Sequence, residues 1–492
     1  MKLVKYLTIA LASGLLMTSC GEDYFNDVDS STISGDQMDS EAKKDPSKIL
    51  SSQLNGCYII WNTHSPSRVA DTFWEHTETG FGAIMTVSDV MSNDISLALG
   101  SSDPYHFDHA LDYNRQEYIR SAWFWDFFYT EIKAANDVID VIDENNQAQR
   151  PYLGQALAIR AISYAYLAQL YQKTYIDNKE KPCVPLRLSS KEESDLSRAS
   201  VEKVYTQVTK DLEKAVTYLQ GFKRADKTTI DQHVAEGFLA RVYLVMNQWQ
   251  KAADMAKAAR TGYGLNNLTE AKEWNYQDAS NKEAMWVFTP SDASKLYYAS
   301  WASWHSVDGP GYISSYKQLM DQALYNSMPK GDVRRNFFVS PEEAAEDESL
   351  TALESRKFPF VSQWMGNVIY MRVSEMYLIE AEAALMAGDK SRCASVMAEF
   401  MPNRVENWTA PASYTQRNIY TQRRLELWGE GFGYFDCVRL KQDLNRKYAG
   451  SNEPTSTQVQ IPAESYKWTF QVPKDEIRDN DAISDADQNP AE

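Results

Sequence analysis

The sequence is short of what most catalysts and most nucleic-acid binders need. It has only five cysteines in 492 residues, Cys20, Cys57, Cys183, Cys393 and Cys437, none close to another and none in a C-x-x-C pair. That spacing argues against zinc and against a disulfide scaffold, so the four internal cysteines read as buried thiols. Six histidines are scattered as well. His64, His76, His106 and His109 offer no pair with useful spacing beside a third ligand, and His106 and His109 read as loop residues. Cations are the minority charge: 50 Lys and Arg against 68 Asp and Glu leave a net −18. So acidic a chain argues against nucleic acid, whose binding needs phosphate-neutralising cations, and against polyanionic ligands. G-x-S-x-G, H-E-x-x-H and P-loop motifs are absent. No apolar run beyond Met17 approaches the roughly 20 residues a membrane-spanning helix needs. No catalytic residue, metal or cofactor is expected; a structural calcium stays open, although no loop has EF-hand spacing.

The one greasy run stands at the start. Lys2 and Lys5 lead into an apolar stretch ending at Met17, and small Thr18 and Ser19 precede Cys20. That order predicts a secretory signal peptide over residues 1–19. A cysteine directly after Met17-Thr18-Ser19 resembles the lipobox of bacterial lipoproteins, which implies that Cys20 is acylated; each buried CH₂ of an acyl chain contributes about 0.8 kcal/mol. Glu22, Asp23, Asp27 and Asp29 follow at once. They cannot help hold an anionic surface, and they resemble the surface-export signal of lipoproteins in Bacteroidetes-type bacteria. Residues 20–46 are thus expected to be a lipidated acidic tether.

Length alone would allow about three domains of ~150 residues, but the remainder, 47–492, reads as one mainly α domain. Apolar residues recur at helical spacing over 115–146. Pro151 opens a second helix and Ser200 caps a third. In 231–260, Ala240, Tyr243, Asn247, Trp249, Ala252 and Ala259 fall at the spacing of a tetratricopeptide helix pair, and 369–400 forms a second pair with Gly388 at its turn. Between them, over 263–368, tryptophan, tyrosine, glycine, proline and serine rise and periodicity fades. The expected architecture is a helix-pair scaffold, about 47–262 and 369–440, carrying a loop-rich, ligand-binding insertion of about 263–368.

Six stretches taken together resemble the SusD/RagB family of outer-membrane nutrient-binding lipoproteins. They are CGEDYFNDVDS after the signal; YTEIKAANDVIDVID with Asn136; GQALAIRAISYAYLAQLY with Arg160; RVSEMYLIEAEAAL with Glu375 and Glu382; RRLELWGEGFGYFDCVRLK with Arg424, Glu426, Glu430, Gly431, Phe435, Asp436 and Arg439; and FQVPKDEIRDN with a closing Asn489-Pro490. Trp428 departs from the small or aliphatic residue commoner there. The resemblance implies a SusD-like fold, tetratricopeptide-like, that has no catalytic activity. It implies a protein of the outer face of the outer membrane that captures oligosaccharides or polysaccharides and delivers them to a TonB-dependent SusC-like transporter. Some members capture peptides instead, a RagB-like alternative; a secreted carbohydrate-active hydrolase and a pure partner-binding scaffold are further readings.

The residues themselves suggest where a glycan would sit. Sugar rings have apolar faces and polar edges, so binders meet them with flat aromatics beside amides and carboxylates. The segment KLYYASWASWHSVDGPGYISSY brings together Tyr297, Tyr298, Trp301, Trp304 and Tyr312, with Asp308 at a Gly-Pro-Gly turn. The two indoles are expected to be exposed. A second candidate spans 61–94: Trp74 as a platform, Asn93 and Asp94 as partners for hydroxyls, and Trp61 closing a core helix. Glu426 and Glu430, four apart, face one way on a helix and could pass for an acid/base pair. Arg423, Arg424 and Arg439 lie near enough in sequence to neutralise them, so structural ion pairs are the better reading.

Overall fold

Helices carry the chain, and their ends follow from the residues placed there. The computed structural model describes residues 46–63, 76–192 and 196–491. The signal segment, Cys20, the acidic tether, His64 and Trp74 lie outside them. Helix α1 (Pro46–Thr63) begins in one unit, of which only 46–52 are described; the second unit runs from Gln53 onward.

In that second unit, helix α2 (Gly80–Val90) is buried along its whole length. Next come α3 (Ile119–Ile139), α4 (Arg150–Tyr171), α5 (Val201–Tyr218), α6 (Gln232–Val245) and α7 (Trp249–Arg260). Pro151 sits in the first turn of α4, where its missing N–H leaves no orphan. The Ser200 hydroxyl accepts from Lys203 N and starts α5. Helix α5 buries Val201, Val204, Val208, Leu212 and Ala215 along one stripe. Helix α4 buries nearly every side, because α3 and α5 cover both its flanks. Alanines 240, 252, 253, 256 and 259 are fully buried between α6 and α7, so those backbones approach closely.

After α7 the chain leaves the helix stack and returns as α8 (Val373–Met386) and α9 (Lys390–Phe400); α8 packs directly against α7, as α9 does against α8. Gly388 between them takes φ +89°, the left-handed conformation that ends a helix. Helices α10 (Gln416–Glu426) and α11 (Gly433–Arg439) follow, with α10 on α8. The excursion contributes short antiparallel pairings. Strand β1 (Ile95–Leu97) pairs with β3 (Gln318–Met320), and β2 (Ala284–Phe288) pairs with β4 (Val368–Arg372), the latter irregular at Trp286.

Two sequence expectations need correction here. Helical residues over 115–146 are confined to α3, since the chain turns from Asp140 onward. His106 and His109 are not loop residues but bound a single helical turn, and His109 is fully buried, its ring nitrogens meeting Val90 O (3.0 Å) and Glu453 Oε1 (2.9 Å). The internal cysteines are four buried free thiols, and Trp61 is a core residue stacked on Phe81 at 4.6 Å.

Candidate functional site

The motif residues around Glu426 form a buried ionic core. Glu426 accepts from Arg372 (2.7 Å) and Arg404 (3.0 Å), with Arg334 at 3.5 Å. Glu430 takes Lys357 (2.5 Å) and Arg372 (2.7 Å). Burial raises the Glu426 carboxyl, but Arg404, Arg372 and Arg334 outweigh it and hold the group well below the usual carboxylate range. The ion-pair reading is therefore right and its partners are different: Arg423 and Arg439 bind Asp436, Arg439 also binds Glu382, and Arg424 binds Asp94. Glu426 ends α10, so it does not share a helix face with Glu430. Asn136 and Arg160 belong to another such tie, with Arg160 bidentate to Asp211 (2.8 and 2.9 Å) and bonded to Asn136 Oδ1 (2.9 Å). All these groups are spent on structure.

Asn93 and Asp94 are spent too, which corrects their assignment to sugar hydroxyls. Asn93 donates to Asp443 O and accepts from Asn445 N, both at 2.8 Å, while Asp94 is buried and accepts from Arg424 Nε at 2.6 Å. Trp428, buried beside them, donates to Asp94 O at 2.8 Å, which gives its bulky ring a place.

The 295–312 segment does assemble an aromatic surface, though with a different face outward. Ser300 caps a five-residue helix, Trp301–His305, by accepting from Ser303 N. Both its indoles are buried, at 6% and 1% exposure, against the expectation of exposed rings. Trp304 stacks on Tyr312 at 4.3 Å and donates to His76 O at 2.9 Å. Trp301 stacks on His305 at 4.5 Å and meets Phe358 edge-on at 4.8 Å. Burial lowers the His305 imidazole to about 3, so it is neutral and its Nε2 pairs with Thr86 Oγ1 at 2.7 Å. The exposed rings are Tyr297 (50%) and Tyr298 (45%). Tyr298 lies 5.9 Å from the half-buried Tyr312 and 5.1 Å from Trp364. Asp308 is exposed at the turn, with φ +62°.

Trp364 was not among the sequence candidates. It arrives because the chain near Phe358 pairs with the segment, Val307 N donating to Phe358 O and Phe360 N to Val307 O, both at 3.1 Å. The signal available was a tryptophan in the polar, turn-like stretch SQWMGN. Tyr297, Gln363 and Trp364 all hold positive φ, 48°, 57° and 56°. Three non-glycine residues in that conformation around one aromatic cluster is stored strain of the kind that gathers at binding sites.

Two cavities adjoin this cluster and share Asn62, Phe288 and Leu296 on their walls. One is a narrow cleft lined by Trp301 and Trp364, with room of about 20 Å³ for water. The other, about 470 Å³, is an open groove with Asn55, Thr228, Thr229, Thr289 and Ser291 offering amides and hydroxyls. Aromatic faces beside polar edges can hold a sugar ring. Among the described residues no group of three or more His, Cys, Asp or Glu is placed to hold a metal, and no helix is long and apolar enough to cross a membrane.

The family model for starch-binding proteins associating with the outer membrane matches residues 76–244, and the SusD family model matches 362–491. A SusD-like protein of Formosa agariphila is 22% identical over 382 residues, 65% of this chain and 72% of the relative. The crystal structure of a SusD-like carbohydrate-binding protein from Bacteroides vulgatus superposes with a TM-score of 0.74 at 23% identity, covering 89% of this chain and 97% of that one. Surface glycan-binding protein A from Bacteroides uniformis superposes at 0.67 with 17% identity, over 90% and 98% of the two chains.

Proposed function

This chain belongs to the SusD/RagB family, and on that premise we propose that it is a non-catalytic surface lipoprotein that captures oligosaccharides or polysaccharides and delivers them to a TonB-dependent SusC-like transporter. The observation that carries the reading is the outward-facing pair Tyr297 and Tyr298 with Trp364, set beside a groove of amides and hydroxyls. The nearby motif carboxylates favour a binder over a hydrolase, because Glu426 and Glu430 are held by cations rather than free to exchange protons. Cys20 would hold the protein to the outer membrane, and its acidic neighbours would send it to the outer leaflet.

Calorimetry of residues 21–492 against a glycan and peptide panel tests this. A bound glycan should be recovered intact, and Tyr298→Ala and Trp364→Ala should each weaken it about tenfold in a folded protein, the loss expected of an aromatic anchor. Saturation by peptides alone, or cleavage of the glycan, would defeat the reading. In cells, Cys20→Ala should move the protein out of the membrane fraction.

A further inference from the structure

The open groove follows a face of α1 and ends at the exposed tyrosines. Asn55, Ile59, Asn62 and Thr63 recur at i, i+4, i+7 and i+8, and all four line it. The other face of the helix is held in the core by buried Leu54, Cys57 and Trp61. From Asn55 to Thr63 the helix rises roughly 12 Å, more than the width of one pyranose ring. The facing walls come from 228–229 and 287–296. Protein groups alone fix those walls: Ile230 N donates to the Tyr58 hydroxyl (2.9 Å), Trp286 Nε1 to Thr228 O (3.1 Å) and Val287 N to Lys227 O (3.0 Å). The groove is thus preformed, and its 470 Å³ falls within the roughly 300–1,000 Å³ of small-molecule sites. Its accessible groups are mostly neutral. Ile59 is 50% exposed, and the Asn55 amide and the Thr229 hydroxyl have no partner among the described residues. Lys295, at the end of the groove, is paired with Asp292 (2.9 Å); it lies 5.2 Å from the Tyr297 ring and reaches Gln363 Oε1 at 3.4 Å, next to Trp364.

We infer that this groove and the Tyr297–Tyr298 surface form one track, and that the ligand is a neutral glycan chain long enough to span both, with Asn55 and Ile59 as specificity-determining contacts. The inference rests on the glycan-capture reading and names its substrate class: longer oligosaccharides and polysaccharides rather than mono- or disaccharides. A short sugar resting on Tyr298 and Trp364 leaves the groove unfilled. A longer chain passes Leu296 and brings its next rings onto α1. There the exposed Ile59 side chain meets an apolar ring face. The Asn55 amide and the Thr229 hydroxyl, each both donor and acceptor, match sugar hydroxyls, which are both as well. An anionic chain gains little from Lys295, whose charge Asp292 already balances.

The test titrates residues 21–492 by calorimetry with disaccharides, tetrasaccharides and hexasaccharides of the malto, cello, laminari, manno and xylo series. At least one hexasaccharide should bind about tenfold more tightly than its disaccharide. Ile59→Ala and Asn55→Ala, both at exposed positions, should each cost that hexasaccharide about fivefold, the loss of one apolar contact or one neutral hydrogen bond. Neither should change the affinity of the shortest member of the series that binds. Tyr298→Ala, by contrast, should weaken every length. Equal affinity across lengths in every series that binds overturns the track while glycan capture stands. So does a length dependence that survives both α1 substitutions, because the extra rings then lie elsewhere. Binding to no glycan sinks capture itself, and the inference with it.

Discussion

At the scale of single residues, His305 shows how an apparently functional side chain earns a structural role. In the sequence it stands next to Trp304 within the aromatic segment. The structure buries it under Trp301 with one hydrogen-bond partner, Thr86, and burial lowers its pKa from 6.5 to about 3. Between pH 6.5 and about 3 the unfolded chain therefore binds a proton that the folded chain does not. The contribution of this residue is complete above pH 6.5 and is lost as pH falls, at about 1.4 kcal/mol per pH unit. Buried Asp89, whose carboxyl burial raises to about 8 against two accepted backbone N–H bonds, pulls the opposite way between pH 4 and 8. The comparison must therefore be with a variant. In urea titrations, the stability advantage of wild type over His305→Gln should shrink steadily from pH 6.5 to 4; a constant gap would mean that the imidazole already charges in the folded state. Glu426 and Glu430 make a related point about legibility. Their ion-paired nature was readable from nearby arginines, but Arg334, Lys357, Arg372 and Arg404, which bind them, come from elsewhere in the chain.

At the scale of elements, what was legible tracks length and periodicity. Helices α3 to α9 are long enough for apolar residues to repeat several times, and α6 with α7 shows its small residues at every close approach. The five-residue helix at Trp301 has no room for a period, so its two indoles read as loop residues. What buries them, His76, Phe358 and Tyr312, is fixed by tertiary pairing. The same holds for the turn between α10 and α11. Gly431 takes φ +87°, its N donates to Asp89 Oδ2 (2.7 Å), its O accepts from Ser88 Oγ (3.1 Å), and a Cβ there would lie 2.9 Å from Met85 Cα and closer still to its side chain. A methyl group would have to displace α2 as well as strain the backbone. Gly431→Ala is expected to cost about 2–4 kcal/mol, read as a lower urea midpoint at unchanged slope. A loss below about 1 kcal/mol would mean that α2 shifts freely, and with it Thr86 and the floor of the aromatic cluster.

At the scale of the whole molecule, charge and architecture act together on ligand choice. Helix α7 meets α8 although more than a hundred residues separate them, so the stack is continuous and the aromatic excursion between them hangs from a rigid support. The chain as a whole is strongly acidic, with a net charge of −18. A neutral polysaccharide approaching Tyr297, Tyr298 and Trp364 feels little of this field, whereas a sulfated or uronate-rich one meets repulsion that salt screens within about 10 Å at 0.1 M. Affinity for a neutral glycan should therefore change less than about twofold between about 0.05 and 0.5 M NaCl. An anionic glycan, if it binds at all, should bind more tightly as salt rises, the reverse of a contact made by basic residues. Weakening of an anionic ligand by salt would reveal a local basic patch strong enough to override the molecule's charge, and would move the contact surface away from the tyrosine pair. Insensitivity for the neutral ligand, joined to a positive salt response for the anionic one, would tie recognition to stacking and neutral hydrogen bonds.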